Sequence, residues 1–168
     1  MPQVEHHNIP AQRTKTPEQA LASLMRQCAR AERCSGDALR SMRRWGLSDE
    51  DAHKVLDRLF RERFIDDSRY AAAYVREKSR LGGWGARKIA ASLRAKCVAP
   101  KVIEEALGQL SSEDTTSRLE ELLRKKAAKR TARDAYQLKG KIVRFGVSRG
   151  FDLDDVLATT ERVLRERE

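Results

Sequence analysis

The sequence predicts an all-α protein of three tandem three-helix repeats, which together form an elongated, curved, solenoid-like body. Apolar residues recur at spacings of three and four, and no stretch shows clean period-two alternation. The only four prolines stand outside the interiors of the predicted helices, at positions 2, 10, 17 and 100. The apolar pattern also repeats itself about every fifty residues along the 168-residue chain.

The first elements are an N-terminal arm and the first repeat. Residues 1–16 are polar and aperiodic, so we expect a flexible arm. Repeat 1 spans residues 17–65 and opens with Thr16 as an N-cap, followed by proline and glutamate. Gly46 is expected to end its short second helix, and Ser48 to cap the third.

The same scheme predicts two further repeats. Repeat 2 spans residues 66–111, and the Gly-Gly-Trp-Gly stretch at 82–85 separates its first two helices. Pro100 stands at the start of its third helix, where proline is well tolerated. Repeat 3 spans residues 112–168, and Asp152 is expected to cap its last helix.

The repeat is visible in the apolar positions themselves. A shift of 51 residues places Leu24 on Val75, Ala38 on Ile89, Met42 on Leu93, Leu47 on Val98, Ala52 on Ile103, Val55 on Ala106, Leu56 on Leu107 and Leu59 on Leu110. A further shift of 53 places Ile89 on Ile142, Val98 on Phe151, Ile103 on Val156 and Leu110 on Val163, while Leu93 falls on Gly146. Because three short helices bury little apolar surface alone, we expect neighbouring repeats to stack.

The charge balance favours a polyanionic partner. Lys and Arg number 35 against 25 Asp and Glu, a formal net charge of +10. The excess grows along the chain, from 2 basic and 2 acidic residues in 1–19 to 14 and 9 in 118–168. Phosphate backbones are the usual partner of such a surface, so we expect contact with nucleic acid.

Basic residues recur around the short second helix of each repeat. They are Arg40, Arg43 and Arg44 in repeat 1, Arg87, Lys88, Arg94 and Lys96 in repeat 2, and Lys139, Lys141, Arg144 and Arg149 in repeat 3. Recurrence at one structural place would align them as a track, although an ordinary solvated face explains any single one equally well. A second basic cluster, residues 124–133, winds around its helix and therefore partly faces solvent.

The aromatic residues admit two interpretations. Tyr70 and Tyr74 lie four apart on an apolar stripe, which favours core packing over stacking on unpaired bases. Trp45 directly precedes the helix stop at Gly46, and packing against the next helix is the favoured interpretation. For Trp84 a surface contact and a plug between two helices remain equally open.

The sequence lacks the signatures of catalytic and metal sites. No P-loop is present, and the adjacent acids at 66–67 and 154–155 suit helix capping better than catalysis. The three cysteines include no C-x-x-C pair, so we expect no metal, no cofactor and no enzymatic activity. No apolar run approaches the ~18 residues of a membrane span, and residues 1–10 lack the design of a secretion signal. We therefore expect a cytoplasmic protein with reduced thiols.

Two runs, FIDDSRYA at 64–71 and GWGARKI at 83–89, resemble the RecX family of recombination regulators. The similarity extends over about residues 18–165, through 74–76, 93–98 and 149–151. Two positions depart from the family pattern: Cys97 stands where glycine is usual, and Gly146 where a leucine-like residue is common. The resemblance implies three tandem three-helix repeats, binding to the RecA filament on DNA, and inhibition of its ATPase, strand-exchange and co-protease activities. It carries over no catalytic residue.

Our hypothesis from the sequence is a non-enzymatic, monomeric regulator that binds the RecA filament and, without sequence preference, single- and double-stranded DNA. The candidate binding residues are Arg43, Arg44, Arg76, Arg87, Lys88, Arg94, Lys96, Arg144 and Arg149. The alternative is a helical DNA-binding regulator of the helix-turn-helix kind, since three-helix units also build such readers. An enzyme of unknown type is a distant third.

Overall fold

The structure is a computed structural model that describes residues 14–129 and 135–166. All regular secondary structure in these two ranges is helical. The helices are α1 (Pro17–Cys28), α2 (Ser35–Arg44), α3 (Asp49–Arg61), α4 (Asp67–Arg80), α5 (Ala86–Ala95), α6 (Pro100–Leu107), α7 (Ser112–Ala128), α8 (Ala135–Ser148) and α9 (Leu153–Arg165). The predicted all-α class is confirmed. Nearly all of the predicted arm, 1–13, lies outside the described residues.

Side-chain caps begin the helices where the sequence places them. The Thr16 hydroxyl accepts a hydrogen bond from the Gln19 amide, and the Gln19 side chain accepts one from the Thr16 amide. This reciprocal pair is a complete capping box at the start of α1. Ser48 likewise caps α3, and Asp152 caps α9. These caps fix where each helix starts and therefore which residues its apolar face presents.

The helices pack in groups of three along the chain. Helices α1 and α2 each pack on α3, α4 to α6 pack mutually, and α7 to α9 do the same. The chain divides into two compact units, the first ending at Asp66 and the second beginning at Asp67. The first unit thus holds α1–α3, and the second holds the other two groups. The residue boundaries 17–65, 66–111 and 112–168 for the repeats stay a prediction.

The positions that the internal repeat aligns form the cores. Ala38, Ile89 and Ile142 occupy one such position and are all fully buried. Gly146 replaces the buried Met42 and Leu93 of the other repeats, and a Cβ there would lie 2.7 Å from Cγ1 of Val156. Val156 therefore takes the space that a larger residue would fill, and the departure from the pattern is absorbed by repacking.

Each second helix ends in the same turn. The turn residue has a positive φ in all three repeats: 78° at Gly46, 61° at Cys97 and 88° at Gly150. The next amide then bonds to a carbonyl five residues earlier, as Val98 does to Leu93 at 3.1 Å. This is the Schellman arrangement, which satisfies carbonyls that the helix end leaves without partners. In all three repeats, the same turn therefore connects the second helix to the third.

Candidate functional site

Repeats 2 and 3 meet through their backbones, and this junction brings together three of the predicted binding residues. The Gly85 amide donates to the Arg149 carbonyl at 2.8 Å, and the Arg87 amide donates to the Gly150 carbonyl at 3.1 Å. A Cβ on Gly85 would lie 2.4 Å from the carbonyl carbon of Gly150, and one on Gly150 would lie 2.4 Å from the backbone nitrogen of Lys88. Only glycine permits this approach at either position.

The arginine side chains at the junction also bridge the two repeats. Arg149 is half-buried, and its Nη1 donates to the Gly82 carbonyl at 3.1 Å. Its guanidinium lies 5.1 Å from the ring centroid of Phe145. Arg87 is exposed and forms an ion pair with Asp152. Because both arginines already make contacts between the repeats, their substitution would disturb the junction as well as any partner contact.

A row of aromatic rings and lysines, each in contact with the next, lies across repeat 2. We call it the aromatic–lysine row, and its members in order are Lys96, Tyr70, Tyr74, Lys78, Trp84 and Lys88. The two tyrosine rings stack with centroids 5.8 Å apart. The Nζ atom of Lys78 lies 5.3 Å from the Tyr74 ring and 5.6 Å from Trp84, and that of Lys88 lies 4.6 Å from Trp84. Each of the three lysine–ring distances falls within the range of cation–π attraction.

Two further contacts hold the row in place. The Tyr74 hydroxyl hydrogen-bonds the Ser92 hydroxyl at 2.6 Å, which ties α4 to α5. The Nζ atom of Lys78 also donates a hydrogen bond to Oε1 of Glu77 at 2.8 Å, which raises the pKa of Lys78 above its ordinary value. Tyr70 is buried, as the core interpretation predicted. The rings therefore pack the repeat and position lysines, and the row presents positive charge on an ordered surface.

Two other predicted residues, Arg76 and Arg94, lie on the helices α4 and α5 that carry most of the row. Arg94 is exposed on α5, seven residues after Arg87 and therefore on the same helix face. Lys96 directly follows the last residue of α5. Arg76 is exposed on α4, but two residues after Tyr74 it lies on a different face from the row. The structure therefore places Lys88 and Arg94 on α5 and Lys96 at its C-terminal end, and leaves Arg76 apart on α4.

The remaining predicted residues lie in two other hollows. Arg144 is exposed on α8 and lines a groove of about 540 Å³ in repeat 3. The other groove residues are Tyr136, Gln137, Lys139, Gly140, Lys141, Val143 and Leu157. Arg43 and Arg44 belong to the first unit, where they line an arginine-rich pocket beside α2.

Sequence reasoning missed two basic residues with specific surroundings. Lys78 lies between two rings of the row, and its spacing of four from Tyr74 and eight from Tyr70 was an available signal. Arg33 lines the pocket in repeat 1 from just before α2, and no periodic pattern marks it. A contact made by a residue between helices leaves no such trace in a single sequence.

The described residues contain neither a metal-binding cluster nor a membrane-spanning helix. Between residues 14 and 166, apart from 130–134, no group of three or more His, Cys, Asp or Glu is placed to hold a metal ion. Over the same part of the chain, no helix has both the length and the apolar character needed to cross a membrane.

Comparisons with known proteins agree with this architecture. Residues 66–107 match the family model described as "RecX, second three-helix domain", and residues 112–158 match "RecX, third three-helix domain". The regulatory protein RecX of Mycolicibacterium vanbaalenii is 31% identical over 165 residues, covering 92% of this chain and 88% of that protein. The regulatory protein RecX of Clostridium botulinum (strain Alaska E43) is 34% identical, and the alignment covers 65% of this chain and 51% of that protein.

Solved structures show the same fold. The crystal structure of RecX from Lactobacillus salivarius superposes with a TM-score of 0.78 at 17% identity, covering 88% of this chain and 96% of that one. A second crystal structure of a regulatory protein RecX gives a TM-score of 0.80 at 21% identity, with 86% and 73% covered. With the two matched family domains and a relative aligned along most of both chains, the chain belongs to the RecX family.

Proposed function

We propose that this protein binds the RecA filament on DNA and regulates it, mainly by inhibiting its ATPase, strand-exchange and co-protease activities. Its relatives carry the name of regulatory proteins, which supports a regulatory role. We further propose that it acts in the cytoplasm as a monomer without enzymatic activity, and that it contacts single- and double-stranded DNA without sequence preference.

The aromatic–lysine row is the observation that carries this proposal. Contacts with aromatic rings restrict the lysine side chains of the row, so a partner meets charge whose position is largely set before binding. A filament of protein and DNA presents negative charge on its phosphates, and an ordered cationic surface attracts it over a distance set by the salt concentration. Arg94, exposed on α5, extends the positive charge of this repeat.

The test is RecA's DNA-dependent ATP hydrolysis, titrated with this protein. The wild-type chain should inhibit hydrolysis, and Lys88→Glu combined with Arg94→Glu should raise the inhibitory concentration about tenfold or more, a loss of ~1.4 kcal/mol or more. These two residues are preferable to Arg87 and Arg149, whose side chains hold the junction. The charge-matched control is Arg61→Glu with Lys101→Glu, two exposed residues outside the predicted set.

Each result of this titration decides a separate part of the proposal. No inhibition by the wild-type protein would remove the assignment to RecA. Equal inhibition by the wild type and the folded Lys88/Arg94 variant would remove these two residues from the binding surface. A similar loss in the control would show that the effect follows net charge rather than the row.

The helix-turn-helix alternative is supported only by the three-helix form of each repeat. It requires binding to a short duplex with sequence preference, in which each mismatched base pair costs ~1–3 kcal/mol. Duplexes of unrelated sequence that bind equally would exclude it.

A further inference from the structure

Repeat 1 contains a pocket whose lining is dominated by arginine. It has a volume of about 450 Å³ and lies where the segment before α2 meets one face of that helix. Its lining residues are Arg33, Asp37, Arg40, Ser41, Arg43 and Arg44. Five of them lie on α2, and four of these five are spaced three or four apart on one helix face: Asp37, Arg40, Ser41 and Arg44. Pockets of this volume ordinarily take a small ligand, but the usual apolar lining is replaced here by cationic groups.

The charge of the pocket is strongly unbalanced. Four arginines and one acidic residue, Asp37, line the pocket, and Asp37 forms an ion pair with Arg40. Arg43 also approaches a carboxylate outside the pocket, with its Nε 3.5 Å from Oδ1 of Asp49. Asp37 and Asp49 balance at most two of these four arginines, so the lining keeps a positive excess and favours an anionic ligand.

Arg33 provides the second observation. Its Nε is buried and makes no hydrogen bond with any described residue. A charged donor that is shielded from water without an acceptor is unfavourable, and an anion in the pocket would supply the acceptor. Nearby, Nη2 of Arg44 donates a hydrogen bond to the Ser41 hydroxyl over 3.4 Å, which is long for a hydrogen bond. A negatively charged acceptor in the pocket would replace it.

We propose that this pocket binds a terminal phosphate group, carried by a DNA end or by a free nucleotide. A terminal phosphate bears close to two negative charges and three acceptor oxygens, which match several converging guanidinium groups. An internal backbone phosphate has one charge and is flanked by sugar on both sides, so it suits an open track better than a recess. The proposal does not depend on RecA, because the ligand is recognised by its phosphate alone.

The test compares two short single-stranded oligonucleotides of the same sequence, one with a phosphate and one with a hydroxyl at the 5′ end. Each carries a fluorophore at the other end, and binding is followed by anisotropy at fixed ionic strength. The phosphorylated strand should bind about tenfold more tightly, because its terminal phosphate can accept charge-assisted hydrogen bonds from the arginines, which a hydroxyl cannot match. AMP serves as the competitor that represents a free nucleotide.

The variants locate the effect. Arg33→Gln and, separately, Arg44→Gln should abolish both the end preference and competition by AMP, whereas the charge-matched Arg61→Gln should retain them. Arg44 is exposed, so its variant tests the pocket even if loss of Arg33 disturbs the fold. Circular dichroism identifies such a disturbance.

The outcomes distinguish the source of the phosphate and the site. An end preference with weak AMP competition identifies a DNA end, and strong AMP competition identifies a nucleotide. Absence of both in the wild-type protein, or their persistence in the folded Arg44 variant, would overturn the proposal. Inhibition of RecA ATPase by the wild-type protein and by the folded Arg33→Gln variant, whose residue lies outside the predicted binding set, separates failure of this pocket from failure of the regulatory role.

Discussion

Cys97 holds a backbone conformation that its side chain disfavours. Its φ of 61° lies in the left-handed region, which costs an L-residue about 1–2 kcal/mol. Glycine occupies the equivalent position in the other two repeats, and the same turn is made in all three. The thiol is exposed and thus adds little packing in compensation. Cys97 departs from the family pattern, in which glycine is usual at this position, and the structure shows that the departure places a Cβ on a left-handed backbone.

We expect Cys97→Gly to stabilise the protein by about 1 kcal/mol, because glycine relieves the left-handed strain despite its greater freedom in the unfolded chain. Urea unfolding followed by circular dichroism measures the difference. Cys97→Ala is the matched control, since it removes the thiol but keeps a Cβ in the same turn. An equal gain in both variants would attribute the effect to the thiol and contradict the explanation from φ.

At the scale of elements, helix α5 begins without a capping side chain. Its N-cap residue is Gly85, and the Gly150 carbonyl accepts the Arg87 amide in place of a side-chain acceptor. The first amides of a helix need such partners, and a neighbouring repeat provides this one. The start of α5 and the end of α8 are therefore stabilised together.

Gly150→Ala should break this contact, because the new Cβ would lie 2.4 Å from Lys88 backbone and side-chain atoms at a positive φ. We expect destabilisation of roughly 1–3 kcal/mol, with the Gly85 and Arg87 amides exchanging about ten- to a hundredfold faster with solvent. Hydrogen exchange measured by NMR tests this residue by residue. Gly108→Ala is the control, since its Cβ would meet only ordinary contacts. Unchanged exchange at both amides would contradict the proposed coupling.

The elements were largely predictable from the sequence, and the contacts between them were not. Apolar spacing and capping residues such as Thr16 and Ser48 located helices because both act within a few residues along the chain. The junction of repeats 2 and 3 is made by main-chain atoms, which every residue possesses. Glycines are the only trace of this junction in the sequence, where the 82–85 stretch predicts no more than an interruption between two helices.

The candidate site shows the same division. Exposure of Arg94 and Arg144 follows from charge, since isolated cations avoid burial. Lys78 lies four residues after Tyr74 on the same helix, a spacing that the sequence shows, whereas Lys88 lies beside Trp84 from the preceding loop and Lys96 beside Tyr70 from α4, and these pairings depend on packing. The arginine pocket depends on Arg33, which precedes its helix and follows no period.

At the scale of the whole molecule, the net charge of +10 predicts that DNA binding weakens steeply with salt. Each predicted residue that neutralises one duplex phosphate adds about −0.9 to the slope of the logarithm of the binding constant against that of salt concentration, so nine such contacts set its limit at about −8. Lys88→Gln with Arg94→Gln should make the slope shallower by about 2. Anisotropy at several salt concentrations measures it.

The control for this prediction is Arg61→Gln with Lys101→Gln, which removes the same charge elsewhere and should leave the slope nearly unchanged. Duplexes of unrelated sequence should bind alike. A slope close to zero, or a strong preference for one sequence, would contradict binding through the phosphate backbone and would favour the helix-turn-helix alternative.

The main-chain bonds between Gly85, Arg87 and the Arg149–Gly150 turn have an evolutionary consequence. Main-chain bonds do not depend on side-chain identity beyond the two glycines, whereas the Arg87–Asp152 and Arg149–Gly82 contacts do. Repeats 2 and 3 can therefore diverge most readily at positions outside these contacts. Such divergence would change what each repeat recognises while the junction between the two repeats stays the same.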